Sequence, residues 1–256
     1  MGMIITVFFI AHILGDFYFQ TDKLSKEKES SVKYLLFHGL VYLLTMTGLS
    51  LAVFRFSRRL FLTAVLIAVS HLAVDFIKCL LSKKSVNERF LFFTDQLLHI
   101  ACILTAAFFL LRNTGAPVYD YLTKISTFGD GIDVLWLFKL ILLILLMCKP
   151  ANVIFRKYLL RYKPDPDPEG SPSPKDWQRQ EDKALRVGGL IGSLERILIV
   201  IFMIMNQFAA IGLVMTAKSL ARYSEIANNK EFSEYYLIGT LSSMIYSIVL
   251  SLLMFF

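Results

Sequence analysis

The feature that most constrains this chain is a series of apolar runs, each about twenty residues long. They lie at about 3–20, 33–54, 60–82, 90–111, 133–155, 190–217 and 234–256. A helix of ~20 residues is long enough to cross the ~30 Å hydrocarbon core of a bilayer. The expectation is an all-α, polytopic integral membrane protein with about seven transmembrane helices. The sixth run is long for one pass and has Asn206 and Gln207 as a point where it could break. Composition agrees: 56% of the chain is hydrophobic, against ~45–50% for a soluble domain.

The first run has no basic stretch before it and no small-residue cleavage site, so it reads as a retained helix. Cys79, Cys102 and Cys148 lie in or beside apolar runs with no motif spacing, which reads as three free thiols. The net charge of +7 would suggest nucleic acid in a soluble protein. In this chain basic loops on one membrane face explain it, and no nucleic-acid partner is expected.

Alternate loops differ in lysine and arginine. One set holds Lys23, Lys26, Lys28 and Lys33, then Lys83, Lys84 and Arg89, then a third loop dense in both residues from Arg156 to Arg186. The other set is poorer. The richer loops are expected in the cytoplasm, which places the N-terminus outside and, after seven passes, the C-terminus inside. The chain then divides into a four-helix region with the polar site (1–112), an outer loop (113–132), a fifth helix (133–160), a linker (161–187) and C-terminal helices (188–256). The linker, "KPDPDPEGSPSPKDWQRQEDK", is rich in proline and charge and reads as an extended solvated segment, and as a place for a cytoplasmic partner. "AKSLARYSEI" reads as a short interfacial helix.

Polar residues interrupt the first four runs in a pattern. His12 and Asp16, His71 and Asp75, and Asp95 and His99 are each four apart, on one face of a helix. Helices one and three run in one direction and helix four in the other, and its motif is reversed. With His38 one turn into helix two, all four histidines of the chain fall at one depth. An ionisable group there costs roughly 2.5–3.5 kcal/mol on insertion scales, so it faces a partner or a cavity. Three readings follow: structural His–Asp hydrogen bonds, a proton relay, or a metal site. Imidazole with carboxylate suits Zn²⁺, and also Mn²⁺ or Fe²⁺. The seven candidate ligands, His12, Asp16, His38, His71, Asp75, Asp95 and His99, exceed one zinc's needs. They allow two ions, or one ion with supporting groups.

Other polar groups stand nearby. Gln20 and Gln96 could flank the site. Lys78 could pair with Asp75 or extend to the lipid headgroups. In "RVGGLIGSLERIL", Gly188, Gly189 and Gly192 precede Glu195 and Arg196. That stretch reads either as close packing with a Glu195–arginine interaction, or as an anion site with Arg196 as the binder. "AHILGDFYFQ" and "SHLAVDFIKC" share H-x-x-x-D-F, which suggests two related hairpins in the first four helices.

Together, "AHILGDFYFQTDKLSKEK", "LLFHGLVYLL", "HLAVDFIK" and "GGLIGSLERILIVIFMIMNQFAAIGLVMTAKSLARYSEI" resemble an uncharacterised family of bacterial multi-pass membrane proteins, DUF3307. The resemblance implies a bacterial cytoplasmic (inner) membrane and supplies no chemistry. The His/Asp helices are more loosely similar to membrane-bound, metal-dependent hydrolases of bacteria. The functional expectation is a metal-dependent hydrolase of a lipid-linked or membrane-delivered (phospho)ester. Asp16, Asp75 and Asp95 would take catalytic roles, and Gln20, Lys78, Glu195 and Arg196 would contact substrate. A metal-ion or proton transporter and a non-catalytic scaffold are the alternatives. A homo-oligomer is compatible with all three.

Overall fold

The computed structural model describes residues 1–21, 24, 27–28, 31–83, 87–111, 118–120, 122, 133–159, 162 and 174–255, with side chains from 187 onward in the last stretch. Most of the outer loop, residues 161 and 163–173 of the linker, and Lys23, Lys26 and Lys84 of the basic loops lie outside these residues. The helices are α1 (Gly2–Ile13), continued by a π-helical turn (Leu14–Tyr18), α2 (Val32–Val53), α3 (Arg58–Ser82), α4 (Glu88–Leu111), α5 (Val134–Met147), α6 (Lys149–Leu159), α7 (Pro174–Ile204), α8 (Phe208–Ala221), α9 (Tyr223–Asn228) and α10 (Lys230–Phe255). Among the described residues six helical stretches are long and apolar enough to cross a membrane: 32–53, 58–82, 88–111, 134–159, 187–204 and 230–255. The helices over 2–18 and 208–221 are shorter. The expected helices thus appear, among the described residues, as six long spans and two shorter apolar helices. The chain forms two compact units, Met1–Leu145 and Leu146–Phe256.

In the first unit α1 lies against α2, with Gly2 beside Leu135 of α5, and α2, α3 and α4 pack in sequence, with α4 returning to α1. The bundle interior is divided by height. One half is apolar: Ile4, Val7, Phe8 and Ala11 of α1 meet Met46 and Val53, Leu60, Ala64 and Ile67, and Ile103 and Leu111. The buried hydroxyls in that half, Thr6, Ser50 and Thr63, donate to their own helices' carbonyls four residues back. The other half holds the polar residues. Outward faces carry Leu40, Leu44, Leu66 and Phe108, more than a third exposed, as helices in contact with lipid require.

The α1 run ends earlier than expected, at Tyr18 rather than residue 20. Its last turn widens to π geometry, with Phe19 N–H donating to the Leu14 carbonyl (2.8 Å). Gly15 sits in that turn against Tyr42. A Cβ there would come within 2.9 Å of the Tyr42 ring, so only glycine lets the two helices approach this closely.

The second unit corrects the sixth span. The chain breaks after Ile204: Gln207 N–H donates to Phe202 O (2.8 Å), Asn206 N–H to Met203 O (3.1 Å), and Asn206 has φ +56°. This is a Schellman C-cap, with asparagine tolerating the left-handed conformation. The break seen in sequence at Asn206–Gln207 is a reversal, because Lys218 on α8 returns to Glu195 on α7 (2.6 Å). Asn152 bonds Ser193 (3.0 Å) and Arg196 bonds Met147 O, so α6 runs antiparallel to α7. Leu159 abuts Gly239 while Tyr246 reaches Leu146 O (3.1 Å), so α6 is also antiparallel to α10. Hence α7 and α10 are parallel.

Two smaller expectations also change. The segment over 161–187 was expected to be extended, but α7 begins at Pro174. Proline suits the first helical turn, and "KDWQRQEDKALR" after it contains good helix formers. In "AKSLARYSEI", the first residues finish α8, and only Tyr223–Asn228 forms a separate short helix.

Candidate metal centre

The polar half of the first unit brings the four histidines together. His12, His38, His71 and His99 are all within 1% of full burial, and Asp75 and Asp95 are 1% and 4% exposed. The Asp16 side chain is 6% exposed. His38 Nε2 is the centre of the tightest group. It lies 3.2 Å from Asp16 Oδ1, 3.3 Å from Asp75 Oδ2 and 3.2 Å from His71 Nε2. His71 Nε2 in turn is 3.7 Å from Asp16 Oδ1 and 3.6 Å from Asp75 Oδ2. A single ring N–H cannot satisfy three such neighbours at once.

A second layer lies beside it. His12 Nδ1 contacts Tyr42 Oη (3.1 Å). The His71 ring is stacked on Tyr42, with centroids 3.7 Å apart and planes 4° apart, and lies 4.0 Å from the His99 ring. His12 and His99 are 5.5 Å apart by ring centroid. His99 Nε2 is 3.8 Å from Asp95 Oδ1 and its Nδ1 is 4.0 Å from Asp16 Oδ2, beyond hydrogen-bond reach.

Two lysines neutralise carboxylates from outside. Lys28 Nζ donates to Asp75 Oδ2 (3.0 Å), and Cys79 Sγ approaches the Lys28 carbonyl (3.5 Å). Lys78 Nζ donates to Asp95 Oδ2 (2.9 Å). Lys78 was expected to pair with Asp75 or extend to the lipid headgroups. It instead crosses to α4, because Asp75 is already taken by Lys28. Burial alone would lower the Lys28 ammonium, but Asp75 and then Asp16 beside it hold it above the ordinary lysine range. Gln96 donates to Asp16 Oδ2 (2.9 Å) and reaches Asp95 Oδ2 (3.3 Å). The Gln20 amide, turned to suit its neighbours, donates to the Asp16 carbonyl (2.9 Å) and accepts from Lys28 Nζ (3.2 Å).

What remains unmatched is informative. His12 Nε2, His38 Nδ1, His71 Nδ1, both nitrogens of His99, Asp75 Oδ1 and Asp95 Oδ1 are buried without a hydrogen-bond partner. Such groups ordinarily find one. Among the described residues of this cluster three carboxylates face two ammonium groups, which leaves one negative charge to be met by a bound cation or a protonated imidazole. Among the described residues three sets offer donor atoms within 4.8 Å of one another: Asp16–His38–His71–Asp75, His12–His71–His99, and Asp75–Asp95–His99.

The remaining sequence candidates, Glu195 and Arg196, are in the second unit. Glu195 pairs with Lys218 rather than with an arginine. Arg196, 3% exposed, donates through Nε to Met147 O (2.6 Å), through Nη2 to Asn152 Oδ1 (2.6 Å) and Ser193 Oγ (3.3 Å), and through Nη1 to Ser243 Oγ (3.3 Å). The nearby Pro150 lacks an N–H for the carbonyl of Leu146, and Tyr246 supplies a donor there (3.1 Å). Arg196 and Tyr246 thus serve carbonyls freed where α5 gives way to α6.

Sequence reading missed Tyr42 and Lys28. Tyr42 carried a signal: it follows His38 by four residues, on the same face. Lys28 carried none, since a loop lysine is indistinguishable from any other basic-loop residue.

Residues 4–125, which contain the whole His/Asp cluster, match the family described as "Protein of unknown function (DUF3307)". Nothing among curated proteins and nothing among solved structures matches the chain significantly.

Proposed function

Starting from a family description that names no activity, we propose that the first unit is a divalent-metal centre of a membrane enzyme. Its best-fitting activity is hydrolysis of a lipid-linked or membrane-delivered (phospho)ester. The observation that carries the reading is the set of spacings around His38. Ligands ~2.0–2.1 Å from a zinc ion sit about 3.3 Å apart at the corners of a tetrahedron. Five donor–donor distances among Asp16, His38, His71 and Asp75 fall between 3.2 and 3.7 Å. Two nitrogens and two oxygens suit Zn²⁺, with Mn²⁺ or Fe²⁺ next.

Such an ion supplies Lewis acidity toward an ester or phosphoryl oxygen and acidifies water. The chain's own residues supply the rest. Asp95 Oδ1, buried and unpartnered on a carboxylate outside the four-donor set, is placed to accept a proton. Lys78, the less buried of the two lysines at 17% exposure, is the cation able to meet an anionic headgroup. Gln96 holds Asp16 and Asp95 in register. The apolar half of the bundle keeps water from passing through.

Metal analysis of protein purified without chelators tests the reading. It predicts about one or two tightly held ions per chain, with release of a labelled headgroup from lipid esters. Metal-free protein whose behaviour is unchanged in Asp16→Asn and Asp75→Asn would end it. A second reading is a proton or metal-ion path, favoured by the direct His38–His71 contact and the ring series to His99 and His12. Ion flux into proteoliposomes is its test, and the self-satisfied hydroxyls of the apolar half speak against it.

A further inference from the structure

We propose that His12, His71 and His99 form a second cation site, chemically different from the Asp16–His38–His71–Asp75 set and joined to it through His71. The three residues come from α1, α3 and α4, each is 1% exposed, and each offers a ring nitrogen within 4.8 Å of the other two. His12 Nδ1 is engaged by Tyr42 Oη, so its unpartnered Nε2 is the nitrogen left for a ligand. That is the arrangement of metal-binding imidazoles, whose far nitrogen is oriented by a neighbouring polar group. His71 Nε2 belongs to the first set, and its buried Nδ1 is unmatched. Neither nitrogen of His99 has a partner.

A neutral imidazole carries one lone pair, so His12 and His99 bind as they stand, while His71 holds both ions only as an imidazolate, its ring proton released to water when the second ion binds. In this dry interior an unmatched polar atom costs roughly 1–3 kcal/mol. One cation relieves three of them together. The two sites differ in what they leave open. Four protein ligands close a tetrahedral site, whereas three imidazoles leave one corner for water or substrate. The four-donor set is then the holding site and the three-imidazole set the reacting one. Asp95 Oδ1, 3.8 Å from His99 Nε2, stands ready to take a proton there. This deepens the enzyme reading and rests on it for the four-donor set only.

The experiment strips full-length protein of metal in detergent, titrates it with Zn²⁺, removes unbound ion and measures zinc per chain. Wild type should saturate at about two ions, and His99→Gln and His38→Gln at one fewer each. Tyr42→Phe keeps the packing but removes the hydroxyl from His12, and should weaken one of the two sites by ~10–100-fold. Circular dichroism reports whether each variant keeps its helices. Saturation at a single ion lost equally in His38→Gln and His99→Gln, two ions retained in His99→Gln, or unchanged affinities in Tyr42→Phe would overturn the proposal. A single ion that needs His38 but not His99 overturns it while leaving the four-donor reading intact. A single ion that needs His99 but not His38 upholds the three-imidazole site and removes the four-donor reading instead.

Discussion

Both units bury charge among apolar helices, but they treat it in opposite ways. In the second unit Arg196 spends its donors on Met147 O, Asn152, Ser193 and Ser243, and Glu195 is matched by Lys218. In the first unit seven ring or carboxylate atoms of the His/Asp cluster are left over after every contact is made. Burial of a polar side chain is therefore a poor sign of function by itself. A buried group with its valences used is holding helices together, and one with valences to spare is held ready for something else.

The largest expected effect follows from that contrast. Asp16→Asn with Asp75→Asn should weaken zinc binding by more than ~100-fold, since two of four ligands change. Arg196→Met should leave zinc binding where it was. Zinc loss in Arg196→Met would break the comparison, and inductively coupled plasma measurements on both proteins decide it.

Stability should respond the other way round. Arg196→Met strands the Met147 carbonyl and the Asn152 side-chain oxygen, and should cost ~1–3 kcal/mol. His99→Leu removes two unmatched nitrogens and replaces them with apolar volume. In metal-free protein it should be neutral or stabilising by up to ~1 kcal/mol. Thermal melts of the two variants in one detergent measure both. Destabilisation by His99→Leu comparable to that of Arg196→Met would mean that the cluster is structural after all.

Glycine substitutions give a finer version. A Cβ at Gly15 meets the Tyr42 ring at 2.9 Å, while one at Gly192 meets the flexible end of Arg196 at 3.1 Å. Gly15→Ala should cost ~1–3 kcal/mol and disturb zinc binding through Tyr42, and Gly192→Ala about 1 kcal/mol or less with no change in zinc. The smallest expected effect is that of pH on Lys28. Its ammonium is held above the ordinary lysine value in the folded chain. Its contribution to stability is therefore whole below about pH 10 and lost as pH rises through the higher folded value. Stability lost through Lys28→Met should be constant from about pH 7 to 9 and shrink only in strong alkali.

The i, i+4 spacing of His12 with Asp16, His71 with Asp75 and Asp95 with His99 set one face of each helix. The reversed order on α4 set the common depth. In the structure those side chains do stand at one level, within a few ångströms of one another. The break at Asn206–Gln207 was also legible, because asparagine is one of the few residues at ease with φ +56°. Its sense was not. A Schellman cap stops a helix, and whether the chain then continues or turns back depends on what packs beside it. Here Lys218 finds Glu195 on the neighbouring helix.

What the sequence determined by itself, then, is the apolar spans, their helical faces and the positions of polar side chains along them. These follow from local periodicity and from the cost of placing charge in hydrocarbon. Tertiary structure alone decided which partner each polar atom received. Lys28 reaches Asp75 across 47 residues of sequence and Gln96 reaches Asp16 across 80. Lys78 passes over the acid on its own helix for one on the next. Hydrogen bonds form over about 3 Å of space with no regard for separation along the chain, so no local pattern records them.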